Sequence, residues 1–268
     1  MKTIQNKGLT FLKFEILEQY HEVRHFVTTR SGGFSKGNYK GLNLGFGTGD
    51  KPETVLENRY ALSESLGIPL DWFVFMHQTH SANIELVNNM QKGSGAYSRN
   101  SAIENTDALI TNHKNICLVV QVADCVPVFL LDTTNSVIAA IHAGWRGTLK
   151  EIADLTVKRM MLEYKSNPDE IVACMGPSIG PCSYEVGNEV RQQFIWKRNY
   201  YSEVFIQDGN RIVLDLWKAN KMQLLKVGLK EENIEISNIC TYCNHDIFYS
   251  SRYDKGETGR FVAGIMLQ

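Results

Sequence analysis

The chain has 268 residues, 43% of them hydrophobic, and 28 Lys plus Arg against 29 Asp plus Glu give a formal net charge of -1. That much apolar material suffices for a sizeable core, and the charge balance excludes a global field that would steer the protein to nucleic acid or to an anionic membrane. The apolar runs stop far short of the roughly 20 residues of a membrane helix, and MKTIQNKGLTFLKF lacks the apolar stretch of a secretory leader, so a cytoplasmic location is expected.

The six cysteines (Cys117, Cys125, Cys174, Cys182, Cys240, Cys243) are then expected to be reduced, serving as core residues, metal ligands or a nucleophile. No repeat, low-complexity tract or long linker divides the chain, and one domain over 1–268 is the simplest expectation.

In chain order, VRHFVTTR (23–30) reads as a strand, and the glycine-dense run that follows it to Asp50 as a long shaped loop. Asp50 with Glu53 three residues later, Pro52 in the first turn and Gly67 after Leu66 bracket a helix of about 15 residues, with Asp50 as its cap. From residue 72 the runs WFVFMH, ANIELV, DALITN, CLVVQVADC, PVFLLD and SVIAAIHAG predict a sheet. Residues 148–164 read as a helix, 170–177 as a strand and 188–197 as a helix. Asp215 caps a further helix that Gly228 ends, before the strand IEISNICT. This mixture of helices and nearly continuous apolar strands predicts an α/β or α+β protein with helices covering its sheets.

Three stretches carry chemistry: HQTH (77–80), ADCVP (123–127) and IHAGWRG (141–147). Cys125 follows an apolar strand and His142 ends another. Pairing of those strands as neighbours would bring the two, 17 residues apart, into one site. With His80 they form a His, Cys, His set, the three protein ligands of a catalytic zinc that keeps a fourth position open. His77 competes with His80, its alternative role being an ordinary polar residue or a partner that orients a ligand. In CTYCNH, Cys240, Cys243 and His245 are a weaker metal motif, because no second pair lies at finger-like spacing, and plain core or surface thiols are expected there. Arg146, Arg30 and Arg252 stand beside glycine-containing turns as candidate anion ligands, the alternative for each being an ordinary carboxylate partner.

The motifs HQTH, ADCVPVFLLD, AIHAGWRG, MGPSIGPCSYEVG and CT...FYSSR...TGR, in this order, resemble those of the YfiH/YlmD family over nearly the whole chain. That resemblance implies an α+β fold, a layered α/β/β/α sandwich with mixed sheets. It also implies His80, Cys125 and His142 as zinc ligands, and phosphorolysis of adenosine, inosine and methylthioadenosine to free base and ribose 1-phosphate, together with adenosine deamination. The partners implied are purine nucleosides and phosphate. No nucleic acid, membrane or obligate protein partner is expected. Thr79, where the family more often has Val, the extra His77, and Cys243-Asn-His245 depart from the family's pattern.

Three rival readings follow from the same residues. A copper-dependent polyphenol oxidase, the older description of the family, is disfavoured because seven histidines are fewer than the roughly ten that several coppers need. A Cys-His hydrolase or amidase would use Cys125 as a nucleophile activated by His142. A binding protein with a structural zinc would fill the fourth position with Cys174 or Cys182.

Overall fold

The computed structural model describes residues 1–268. One six-stranded sheet contains β1 (Lys2–Asn6), β2 (Leu9–Lys13), β3 (Val23–Thr28), β4 (Phe73–Phe75), β7 (Cys117–Val122) and β15 (Phe261–Leu267), in the order β1-β2-β3-β15-β7-β4. The second contains β5 (Ile84–Leu86), β6 (Ala108–Thr111), β8 (Val126–Asp132), β9 (Val137–Ala143), β10 (Ile171–Met175) and β14 (Ile234–Ile236), in the order β14-β10-β8-β9-β6-β5. Both sheets are mixed, since β4 runs parallel to β7, β5 to β6 and β14 to β10, and the other neighbours are antiparallel. A three-stranded sheet of β11 (Glu185–Val186), β12 (Phe205–Asp208) and β13 (Arg211–Leu214) completes the set.

The alternation of side chains along each strand divides the core into three layers. Val27, Leu118, Val120 and Ile265 of the first sheet meet Leu109, Phe129, Leu131 and Ala140 of the second, which makes the central core. On the far face of the first sheet, Phe11, Phe26, Phe73 and Val119 pack with Leu62 of α1 (Pro52–Leu66). On the far face of the second, Val128, Leu130, Ala139 and Ile141 pack against two helices. These are α3 (Ile152–Tyr164), through Val157 and Met160, and α5 (Leu216–Val227), through Leu224. This is the α/β/β/α sandwich expected. Strands buried on both faces need apolar residues at nearly every position, and β8 and β9 have all seven residues buried.

Four links cross between these two sheets, β4 to β5, β6 to β7, β7 to β8 and β14 to β15, and two of them carry the candidate ligands His80 and Cys125. The chain leaves the first sheet after β4 and enters the second at β5 through residues 76–83, which hold His77 and His80. It crosses again between β7 and β8 through residues 123–125, which hold Asp124 and Cys125.

Local expectations met the structure unevenly. Asp215 accepts from the Lys218 N–H at 2.9 Å as the α5 cap, and Gly228 at φ 114° closes that helix. The long helix expected over 148–164 is two, α2 (Trp145–Leu149) and α3, broken where Glu151 takes φ 65°. Asp50 does not cap α1. Lys51 holds that position without a side-chain bond, while one Asp50 carboxylate oxygen accepts from the Ser35 hydroxyl at 2.6 Å and the Asn43 amide at 3.0 Å, which ties the glycine-rich loop together instead.

Candidate active site

β8 and β9 pair antiparallel with Pro127 opposite His142, so Cys125, two residues before Pro127, lies beside the end of β9. The crossing link after β4 brings in His80. Ligand atoms of His80, Cys125 and His142 all lie within 4.8 Å of one another, with the Cys125 Sγ 3.8 Å from the His80 Nε2. The two imidazole rings meet edge to face with centroids 4.9 Å apart.

Asp107, at the start of β6 and fully buried, organises this group. Its carboxylate accepts from the His142 Nδ1 at 2.8 Å, from the backbone N–H groups of Thr79 and His80 at 3.1 Å each, and from the N–H and hydroxyl of Ser81 at 2.7 and 2.6 Å. Burial alone would raise its pKa, but these donors hold it well below the usual carboxylate range. They also support His80 in a left-handed backbone conformation, φ 57°, which a non-glycine residue adopts only when its surroundings impose it. Engaging the Nδ1 of His142 leaves its Nε2 as the ligating nitrogen, the arrangement that orients metal-binding histidines in general.

Burial opposes charge on both Cys125 and His142, yet their mutual attraction and the Asp107 bond win, lowering the thiol and raising the imidazole. A thiolate is thereby available to a cation. Gly144 completes the packing: a Cβ there would come within 2.8 Å of the Cys125 Sγ and 3.0 Å of the His80 Cδ2. Two imidazoles, one thiol of lowered pKa and a buried carboxylate behind them fit a Zn²⁺ ion as a donor set.

The group opens into a cavity of about 660 Å³, within the size range of small-molecule sites. Among its lining residues Asp124 is the one carboxylate, against Arg59, Arg99, Arg252, Lys255 and Arg260. Phe46, Phe75 and Tyr184 provide aromatic surface, and Gln78 and Gln121 amides. Arg59 is spent on structure: buried without an acidic partner, it donates to the carbonyls of Leu44, Gly95 and Ala96 and lies over the rings of Phe46 and Phe75. Burial pushes its pKa down to about 9, so it stays charged at neutral pH. Asp124 is likewise engaged, with φ 90° and its oxygens accepting from the Thr241 hydroxyl and the Arg252 N–H at 2.7 Å each.

His77 lines the same cavity. Its Nε2 lies 2.7 Å from Arg99, which can only donate, so the Nδ1 carries the proton and donates to Glu104 at 2.8 Å. Of the arginines singled out in the sequence, Arg252 lines the cavity, its guanidinium over the Tyr184 ring and bonded to the Glu185 carbonyl at 2.9 Å. Arg146 is exposed and stacks on Trp145; it is not itself a lining residue, but its charge acts on Tyr184, which is. Arg30 lies in a separate polar pocket, donating to the carbonyls of His245 and Lys40. Neither Cys174 nor Cys182 joins the His80, Cys125, His142 group: Cys174 is in the central core and Cys182 in a second cluster. Asp107, Arg99 and Arg260 went unrecognised in the sequence. An acid directly before the apolar run ALIT was the one available signal.

The family model described as multi-copper polyphenol oxidoreductase laccase matches residues 24–268. A purine nucleoside phosphorylase of Bacteroides thetaiotaomicron is 38% identical over 265 residues, 97% of this chain and 97% of its own. The chain belongs to this family. Another relative, adenosine deaminase RL5 from an unknown prokaryotic organism, is 33% identical over 94% of this chain and 97% of its own. The crystal structure of YlmD from Geobacillus stearothermophilus aligns with a TM-score of 0.91 at 31% identity, covering 99% of this chain and 98% of that one. The YfiH/YlmD resemblance of the motifs therefore extends to fold and to the names of curated relatives. The cavity's donor group holds two histidines and one cysteine, a set for a single ion.

Proposed function

We propose that the protein is a zinc-dependent purine nucleoside phosphorylase with adenosine deaminase activity, taking adenosine, inosine and methylthioadenosine with phosphate. The observation that carries this reading is the convergence of His80, Cys125 and His142 on one side of a cavity whose lining bears five cations and one acid. Relatives named purine nucleoside phosphorylase and adenosine deaminase support it. A cytoplasmic setting, which keeps the six free thiols reduced, belongs to the same proposal.

Breaking an N-glycosidic bond develops positive charge on the ribose, so the site must hold an anionic nucleophile near the anomeric carbon and steady the departing purine. His80, Cys125 and His142 would hold the Zn²⁺, which when bound supplies Lewis acidity toward an oxygen of phosphate, ribose or water. Arg99, Arg260 and Lys255 gather the phosphate by charge, and Arg252 closes that wall. His77 aims Arg99, because Glu104 fixes its tautomer with the Nε2 toward the guanidinium. Tyr184 and Phe46 offer the flat surface a purine stacks on. Asp107 keeps His142 from turning and binds the His80 backbone.

Metal-quantified protein incubated with inosine and phosphate is expected to release hypoxanthine and ribose 1-phosphate in equal amounts, and to release no hypoxanthine without phosphate. Hypoxanthine formed equally without phosphate would mean hydrolysis and sink the phosphorylase reading.

A second reading draws on the Cys125, His142, Asp107 order, in which an acid orients a base beside a thiol as in nucleophilic cysteine enzymes. Iodoacetamide separates the two. If Cys125 ligates a metal, it is alkylated only after chelation, and chelation abolishes activity. Alkylation of the untreated protein, with activity that survives chelators, would favour the nucleophile.

A further inference from the structure

Cys182, Cys240 and Cys243 lie outside the cavity and take no part in the chemistry above. They come from two loops: Cys182 from the segment between β10 and β11, and the other two from the segment between β14 and β15. The loops are stitched by an isolated parallel bridge between Ser178 and Cys240 and by the Thr241 N–H bonding the Ser178 carbonyl at 3.0 Å, while the Trp217 indole of α5 bonds the Ser178 hydroxyl at 2.5 Å. Gly180, which leaves no room for a Cβ between Trp217 and Cys240, donates its N–H to the Cys240 Sγ at 3.2 Å.

The three sulfurs lie within 4.8 Å of one another, with the Cys182 and Cys243 Sγ atoms 3.5 Å apart. Thiolates at the roughly 2.3 Å bond length of tetrahedral zinc are about 3.8 Å apart, whereas a disulfide needs about 2.05 Å. The Cys182–Cys243 spacing is therefore close to that of two thiolates sharing an ion. The Ser183 hydroxyl lies 3.3 Å from the Cys243 Sγ and 3.5 Å from the Cys182 Sγ, the one side-chain oxygen bonded to both exposed sulfurs. Cys182 and Cys243 are exposed, which gives an ion a path in, and Cys240 is buried, which anchors it.

We propose that Cys182, Cys240 and Cys243 form a second metal site, taking a d¹⁰ cation such as Zn²⁺ with the Ser183 hydroxyl or a water as fourth ligand. Binding releases the thiol protons to solvent, and no oxidant is involved. The site is a clasp. It joins the segment that carries Tyr184 to the one that carries Arg252, and Thr241, between the two cysteines of the second loop, bonds Asp124 next to Cys125. This inference is independent of the reading of the cavity.

The test is zinc content per chain after equilibration with Zn²⁺ and desalting, in wild type, Cys243→Ser, Cys182→Ser and Cys125→Ala/His142→Ala. The expected result is one equivalent lost in each variant relative to wild type. Were the cavity to hold no metal, Cys125→Ala/His142→Ala would match wild type while the two serine variants still lost an equivalent, so the two proposals fail separately. With Co²⁺ as probe, the thiolate-to-cobalt charge-transfer absorption of the three clasp cysteines should be lost in Cys243→Ser, leaving about one quarter when Cys125 also ligates cobalt and none when it does not. Serine variants with wild-type circular dichroism and undiminished zinc would overturn the proposal. So would a Cys182–Cys243 disulfide in the wild-type protein after aerobic equilibration with Zn²⁺.

Discussion

Two groups of soft donors lie on either side of the Asp124 to Thr241 hydrogen bond, and they are built differently. His80, Cys125 and His142 stand where the chain crosses between sheets, on a buried carboxylate that binds both crossing link and strand end, with a glycine leaving room for the sulfur. Cys182, Cys240 and Cys243 stand where two loops meet, two of them exposed, with backbone N–H groups rather than a carboxylate bonding the buried sulfur. The first arrangement is preorganised and faces a cavity; the second holds surface segments together. Rigid support behind the ligands, with one side facing a cavity, is what distinguishes a reactive centre from a clasp.

The sharpest way to break that contrast is removal of a cavity ligand. Cys125→Ala or His142→Ala should lose zinc from the cavity and lower hypoxanthine release about a thousandfold or more, with circular dichroism unchanged. A variant that keeps both metal and turnover would erase the distinction.

Asp107→Asn tests the support rather than the ligands. An amide cannot accept from every donor now on the carboxylate, and zinc affinity at the cavity should drop about 10- to 100-fold while the cysteine clasp keeps its metal. The same variant has a pH signature in metal-free protein. Because the native pKa of Asp107 lies below its unfolded value of 3.8, its stabilisation is complete above that value and is lost as the pH falls toward the native one. Acid denaturation of Asp107→Asn should therefore show a shallower limb below pH 3.8 than wild type. An unchanged limb would mean the carboxylate contributes no such stabilisation.

Gly144→Ala asks how tightly the first group is packed. With a Cβ 2.8 Å from the Cys125 Sγ, zinc affinity should weaken about tenfold as the thiol is displaced. Titration against a chromophoric chelator measures this, and wild-type affinity would indicate slack. The smallest effect belongs to the clasp: Cys243→Ser should raise the KM for inosine about two- to fivefold through Tyr184 and Arg252, leaving kcat nearly unchanged. Equal losses in kcat and kcat/KM would instead place the clasp in the chemistry.

Most of this architecture was legible in the sequence where one physical rule dominates. The runs PVFLLD and SVIAAI read as strands because burial on both faces leaves no polar position, and their pairing put Cys125 beside His142. Legibility ended where distant segments decide. Asp50 has the spacing of a cap, but Ser35 and Asn43 compete for its carboxylate. The break at Glu151 interrupts a continuous helical pattern, because tertiary packing overrides propensity. Cys182 is 58 residues before Cys240, and only the fold makes the lone Cys-x-x-Cys into a set of three. Asp107 reads as a strand start, since nothing local to DALITN announces the residues of the 79–81 link that bind it.

The most direct measurement of the central claim is phosphorolysis of inosine by wild-type protein of known zinc content, before and after chelation and after zinc is restored. Hypoxanthine and ribose 1-phosphate should appear in equal amounts with phosphate, vanish on chelation and return with one equivalent of Zn²⁺ at His80, Cys125 and His142. Zinc-loaded protein that forms no hypoxanthine, or metal-stripped protein that forms it at the full rate, would contradict the account.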